Sequence, residues 1–160
     1  IKSEVGNEPI HNIKDLHFND QILNVKQDVL SVFHELKTVD HITGKIYRLY
    51  NAALGRFPDI EGFKYWINMN ESLINTHYQI AESFIISTEF KKLYFNNSSD
   101  EEYIVSLYKN ILNREPDNIG YEYWLNQLQS EKENKTDLLI GFAESSESKE
   151  IFSDETSLII

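Results

Sequence analysis

The stretch GRFPDIEGFKYW, residues 55–66, packs an arginine, a Pro-Asp turn, a glycine and a Tyr-Trp pair into twelve positions. Residues 113–124 read NREPDNIGYEYW and hold Arg, Pro, Asp, Gly, Tyr and Trp in the same places. Either this is a chemical site used twice or a structural joint used twice. The choice between them decides the fold and, with it, the function.

Sliding the chain against itself by 58 residues aligns the two halves without a gap. Ile46, Leu49, Tyr50 and Leu54 fall on Ile104, Leu107, Tyr108 and Leu112. Arg56, Pro58, Asp59, Gly62, Tyr65 and Trp66 fall on Arg114, Pro116, Asp117, Gly120, Tyr123 and Trp124. Phe84, Ser87 and Glu89 then meet Phe142, Ser145 and Glu147. An internal repeat sets the architecture before any local reading does. In each copy the first segment spaces its apolar residues i, i+3, i+4, i+7, i+8, which predicts one helical stripe. A second helix follows Pro-Asp and points Phe63, Trp66 and Ile67, or Tyr121, Trp124, Leu125 and Leu128, one way. Thr76 with Gln79 and Ser99 with Glu102 have the spacing of capping boxes, and Ser87 and Ser145 are candidate N-caps for a short fourth helix.

Local chemistry favours the joint. Pro58 is excluded from a helix interior and pushes Phe57 toward extended backbone. Asp59 then stands at an N-cap, where its carboxylate meets free N–H groups and the positive end of the helix. Gly62 costs roughly 1 kcal/mol relative to Ala inside a helix, so its recurrence at Gly120 predicts a close approach to the backbone there. A packed neighbour and a ligand are both open as the approaching group. Arg56 is placed to pair with Asp59 or with carbonyls ending the first helix. Tyr65 and Trp66 are about 100° apart on a helix, which assigns Trp66 to the core and Tyr65 to the rim.

Bulk composition narrows the functional classes. The 160-residue chain is 41% hydrophobic and 26% charged, a globular balance. It opens on Ile1, and is read as part of something longer. No apolar run is long enough to span a bilayer, and residues 1–20 lack a signal-peptide pattern. Cysteine is absent, which removes disulfides, thiolate zinc sites and a cysteine nucleophile. Of the net charge of −11, residues 96–160 contribute most, with 14 acids against 5 basic residues. Such a surface repels phosphate backbones and anionic headgroups, so no nucleic acid and no membrane insertion are expected.

Signals for catalysis are weak. No phosphate loop, nucleophile elbow or zincin motif occurs. His11, His17, His34, His41 and His77 are scattered, and none has a counterpart 58 residues away. The Asp100-Glu101-Glu102 run opens a helix, where acids complement the dipole. Asp59 with Glu61, and Asp117 with Asn118, bring oxygens near the turns, without the spacing of an EF-hand loop. No catalytic, cofactor-binding or metal-ligating residue is therefore expected. Calcium stays open for a parent protein, not for these residues.

The segments IYRLYNAALGRFPDIEGFKYWI and YIVSLYKNILNREPDNIGYEYWL, with SFIISTEF at 83–90 and GFAESSES at 141–148, resemble the bacterial family catalogued as domain of unknown function 4214. Its pattern is approximately LY…LGR.PD..G..YW followed by F..S.EF, and the likeness covers about residues 42–153. Asn113 in place of Gly55 and Ser148 in place of Phe90 depart from it. The resemblance implies a helical module of large secreted or cell-surface bacterial proteins, at times beside hemolysin-type calcium repeats or glycosyltransferase domains. It carries no catalytic residues. IHNIKDLHFNDQILNV is similar to the closing β-segment before such modules in repeats-in-toxin-like surface proteins. The ending DETSLII is similar to uncleaved type I secretion signals, with a frayed terminus as the alternative.

The expected fold is mainly α: a tandem repeat of short-helix units, about four helices each, with a small N-terminal β-ribbon and a linking helix. The expected divisions are a ribbon at 1–25, a linking helix at 26–44, repeats at 45–98 and 99–153 forming one packed domain, and a tail at 154–160. The expected function is a non-catalytic module of a secreted or cell-surface protein, an adhesin or surface-layer component whose partner is a protein or surface glycan. The other expectation is a carbohydrate-binding or glycosyltransferase-associated accessory domain, in which Tyr65, Tyr123, Arg56 and Arg114 touch the ligand.

Overall fold

Asp15–His17 (β1) and Ile22–Asn24 (β2) pair antiparallel with Leu16 opposite Leu23. A computed structural model describes residues 15–17, 22–94 and 99–157. The Asn19-Asp20 turn and residues 1–14 of the expected ribbon lie outside the described residues. Asn24 closes the second strand and caps the turn after it: its side chain accepts from the Gln27 N–H and donates to Asp15 at 2.9 Å.

The linking helix expected over 26–44 is shorter than its apolar spacing suggests. Val25–Val29 form a π-helical turn that leads into α1, Leu30–Glu35, and Leu36 is already extended. The chain then re-enters a helix at α2, Ile42–Leu54, where the His41 ring accepts from the Thr43 N–H. Gly44 permits this tight entry, because a Cβ there would lie 2.6 Å from the Thr38 carbonyl oxygen. The first repeat helix thus begins three residues before the expected boundary at 45.

From α2 onward the described chain is mainly α. The order is α3 (Ile60–Glu71), α4 (His77–Ile85), α5 (Thr88–Tyr94), α6 (Asp100–Leu112), α7 (Asn118–Gln129), α8 (Lys135–Ala143) and α9 (Ser146–Ser157). Starts are specified locally: Thr76, Ser99 and Asn134 each make a full capping box with Gln79, Glu102 and Asp137. Ser87 and Ser145 accept from the N–H groups of Phe90 and Ser148, both at 3.1 Å. Helix α9 takes in Asp154 to Ser157, so part of the tail expected at 154–160 is helical. Thr156 is buried there and donates to the Phe152 carbonyl at 2.8 Å.

Helix ends repeat as closely as helix starts. Gly55 ends α2 with φ +62°, and Asn113 ends α6 with φ +54°. Gly and Asn are the two residues that most readily take this left-handed conformation, so the exchange leaves the backbone path unchanged. Leu73 and Glu131, 58 residues apart, also have positive φ, at 57° and 55°.

One apolar core joins the helices. Ile46, Leu49, Tyr50 and Ala53 of α2 and Ile80, Ala81 and Phe84 of α4 meet Ile104, Leu107 and Tyr108 of α6 and Leu138, Leu139 and Phe142 of α8. Each of the larger side chains contributes roughly 1.5–3 kcal/mol on burial. Aromatic rings of α5 and α6 continue the core, with Tyr94 and Tyr103 at 5.6 Å. Their hydroxyls are spent on backbone: Tyr94 donates to the Ala52 carbonyl and Tyr103 to the Lys135 carbonyl.

A buried cation ties the two ends of this core together. Arg48, on α2, is 2% exposed. Its Nε donates to the Ala143 carbonyl at 3.0 Å, Nη1 to the Val39 carbonyl at 2.8 Å, and Nη2 to both Glu144 oxygens at 2.7 Å. Position 106, its counterpart, is a serine, so the tie is made once. Removing one partner of a buried pair strands the other. Arg48→Met is therefore expected to cost about 3–5 kcal/mol in urea unfolding. A loss under about 1 kcal/mol, the scale of an exposed pair, would contradict it.

Candidate functional site: the twin arginine–tyrosine joints

The repeated twelve residues fold into the same joint twice. The Asp59 Oδ1 accepts from the Gly62 N–H at 2.7 Å, and the Asp117 Oδ1 accepts from the Gly120 N–H at 2.9 Å. Both are N-cap bonds on α3 and α7. The Gly120 N–H holds the Asp117 carboxyl below the usual carboxylate range, with Arg114 adding to the effect.

A tyrosine hydroxyl is the group that approaches the glycines. A Cβ on Gly62 would overlap the Tyr50 hydroxyl oxygen, and one on Gly120 would overlap that of Tyr108. Both tyrosines come from the preceding helix and are buried. Burial, reinforced by Asp59 or Asp117, pushes each hydroxyl above its ordinary pKa, so both stay protonated. The indoles of Trp66 and Trp124 are directed at the same hydroxyl oxygens.

Arginine closes the joint from outside. Arg56 Nε donates to Glu89, Nη2 to the other Glu89 oxygen at 3.3 Å, and Nη1 to the Phe57 carbonyl at 3.1 Å and to Asp59 at 3.3 Å. Arg114 repeats the set with Glu147 at 2.8 and 3.0 Å, the Glu115 carbonyl at 3.2 Å and Asp117 at 3.4 Å. Each guanidinium also lies over its tyrosine ring, at 5.2 Å for Tyr50 and 4.9 Å for Tyr108. The carbonyl partner is that of the next residue, not one ending the first helix. Glu89 and Glu147 are partners that spacing alone does not assign. Their signal is nevertheless in the chain, since each stands 33 residues after its arginine.

The aromatic pair departs from its expected places in one respect. Trp66 and Trp124 are half-buried, not enclosed in the core. Each packs one side on Phe84 or Phe142, at 5.5 Å, and the other on Tyr65 or Tyr123, at 4.9 Å. Shielding by a tyrosine replaces enclosure. Tyr65 is 53% exposed and Tyr123 51%. The expected ligand-contact groups therefore have different neighbours: the arginines face Tyr50, Tyr108 and their glutamates, while Tyr65 and Tyr123 rest on the indoles.

A cavity of about 220 Å³ lies between α2, α6 and α9, lined in part by Arg48, Asn51, Asn110, Asn113, Ser148 and Glu155. Part of its polar wall is already engaged. Asn51 is turned to the Tyr47 hydroxyl and Asn110 to that of Tyr94. Ser148 lines it where the other copy has the Phe90 ring, which stacks on Tyr94 at 4.5 Å. A smaller side chain thus accounts for space at this wall. Among the described residues no three His, Asp or Glu side chains gather as a metal site, and no helix is long and apolar enough to cross a membrane.

The family model described as Domain of unknown function (DUF4214) matches residues 81–152. That span holds the second joint entire, from Tyr108 through Glu147, and the match supports this domain family for that part of the chain. No curated protein and no solved structure matches the chain.

The tyrosine–glycine contact gives a direct test. Gly62→Ala should lower stability by about 1–3 kcal/mol through overpacking, although alanine favours a helix by roughly 1 kcal/mol. In a Tyr50→Phe background, which removes the nearest obstructing oxygen and leaves those of Asp59, the same change should cost less by about 1 kcal/mol. Equal costs in the two backgrounds, measured by denaturant unfolding, would contradict the assignment. Gly120→Ala with Tyr108→Phe should repeat the result.

Proposed function

We propose that the chain carries two tandem copies of one four-helix module and works as a non-catalytic helical unit of a secreted or cell-surface bacterial protein. Adhesion, surface-layer assembly or protein contact is its role. One observation carries this reading. In both copies the motif residues face one another: each guanidinium is bonded at all three nitrogens within its own joint. General acid–base work needs a group poised toward a substrate, and the joints spend theirs on caps and ties. The repeated positive-φ positions and the repeated Arg–Glu forks support the two-copy division. Export by a C-terminal signal and a calcium-binding parent belong to the same proposal and rest on the resemblance, the acidic charge and the absence of cysteine.

A second reading rests on Tyr65 and Tyr123, whose rings stay half-exposed beside the indoles. Exposed aromatic faces stack on sugar rings, so a carbohydrate-binding accessory role fits these two positions. The arginines do not supply it, being committed to Glu89 and Glu147.

The two readings separate in one pair of experiments. Glu89→Gln with Glu147→Gln should lower the melting midpoint, and Tyr65→Ala with Tyr123→Ala, which uncovers one side of each indole, should lower it by several degrees while the cooperative transition and the helical fold persist. The unaltered chain on a glycan array should show no tyrosine-dependent binding. Binding that disappears with the two tyrosines while the fold persists would replace the first reading with the second. An unchanged midpoint in the glutamate variant would sink the structural role.

A further inference from the structure

His77 is the first residue of α4 and has no counterpart in the second copy, where Lys135 stands. Its Nε2 is buried and has no hydrogen-bond partner among the described residues. The charges acting on the imidazole come from both copies. Lys45 and Arg48 belong to α2, and Glu144 ends α8. Glu144 is already committed, with both oxygens on Arg48 and a further approach from Lys149 at 3.8 Å. The other charged groups on the packed elements look elsewhere. Lys135 pairs with Asp100, Asp137 closes the Asn134 cap, Glu89 holds Arg56, and Glu82, Lys91 and Lys92 are exposed.

A neutral imidazole fits this setting at the cost of one unmade bond. A protonated one does not. It would present an N–H without an acceptor, near two fixed cations, at the helix end where positive charge is disfavoured. The one anion acting on it is the carboxylate that anchors Arg48. We infer that His77 makes the packing of α2 and α4 against α8 acid-sensitive: neutral, it leaves the contact around the Arg48–Glu144 tie intact; protonated, it adds a further cation and an unmatched N–H beside that tie and loosens the contact.

Burial lowers the His77 pKa, with Lys45 and Arg48 adding to the effect and Glu144 opposing it. The folded chain therefore takes up this proton at lower pH than the unfolded chain. The stability concerned is complete above the unfolded value of about 6.5 and is lost progressively as the pH falls below it.

The test is a melting series of the whole chain from pH 8 to 5, with His77→Gln beside it. The midpoint should fall as the pH drops below about 6.5, by at most roughly 3–5 °C per pH unit, the limit for one proton, and most of that slope should vanish in the variant. Over the same range, hydrogen exchange corrected for intrinsic rates should quicken in α8 more than in α3. Identical slopes in the two proteins would overturn the inference, as would exchange that quickens equally in both helices. Should the variant fail to fold, an imidazole titration of the unaltered chain decides: His77 must titrate below about 6.5, and a value at or above it ends the inference.

Discussion

A tyrosine hydroxyl resting on the first turn of the next helix is the constraint on which the structure depends. Tyr50 and Tyr108 reach the glycine backbone of α3 and α7, and this contact fixes how consecutive helices turn past each other. The rest of the motif serves it. Pro58 and Pro116 stop any helix from running through the turn, Asp59 and Asp117 cap the helix under the hydroxyl, and Arg56 and Arg114 lie across the same rings. The indoles are directed at the same hydroxyls. Glycine is required because the oxygen occupies the place of a methyl group.

Two scales of interaction divide the work. Within each joint, the Arg–Glu fork is half-exposed, and such pairs contribute modestly in water. Each fork adds to stability and also aligns an element, since Glu89 and Glu147 lie in the first turns of the short helix α5 and of α9. Between the helices, the apolar faces of α2, α4, α6 and α8 form a common core, and Arg48 adds a single buried tie. Because a buried cation is costly unless every donor is met, its partners Ala143, Val39 and Glu144 form a unit with it. His77 stands beside that unit with one nitrogen unmet, which is why acidity reaches the contact there rather than at the joints.

Much of this was legible in the chain itself. The apolar stripes of α2 and α6, the capping boxes at Thr76 and Ser99 and the caps at Asp59 and Asp117 all depend on residues a few positions apart, where spacing dictates contact. The glycine positions announced a close approach without saying by what, because the Tyr50 ring lies twelve residues away and its direction depends on packing. Glu89 stood in plain view as a repeated residue, yet only folding brings it to Arg56. Arg48 gave no signal: an arginine in an apolar stripe reads as an exposed interruption until its carbonyl partners are known. The linking helix was overestimated because helical spacing from 26 to 37 does not reveal that Leu36 turns extended. The half-burial of Trp66 and Trp124 reflects Tyr65 and Tyr123 taking the covering role that a further helix would otherwise fill.

The claim that the two hydroxyls are walled in as scaffolding is tested most directly by site-specific tyrosine labelling and alkaline titration. Free phenols ionise near pH 10. With its pKa raised by burial, each hydroxyl holds its proton more tightly in the fold than in the unfolded chain, so the stability it gives is full below about pH 10 and lost as the pH rises above it. Both ring carbons bearing oxygen should hold their protonated chemical shift through pH 10 and change only in step with unfolding. Ionisation of either ring near pH 10 in the intact fold would show an open, solvent-reached hydroxyl and contradict the account.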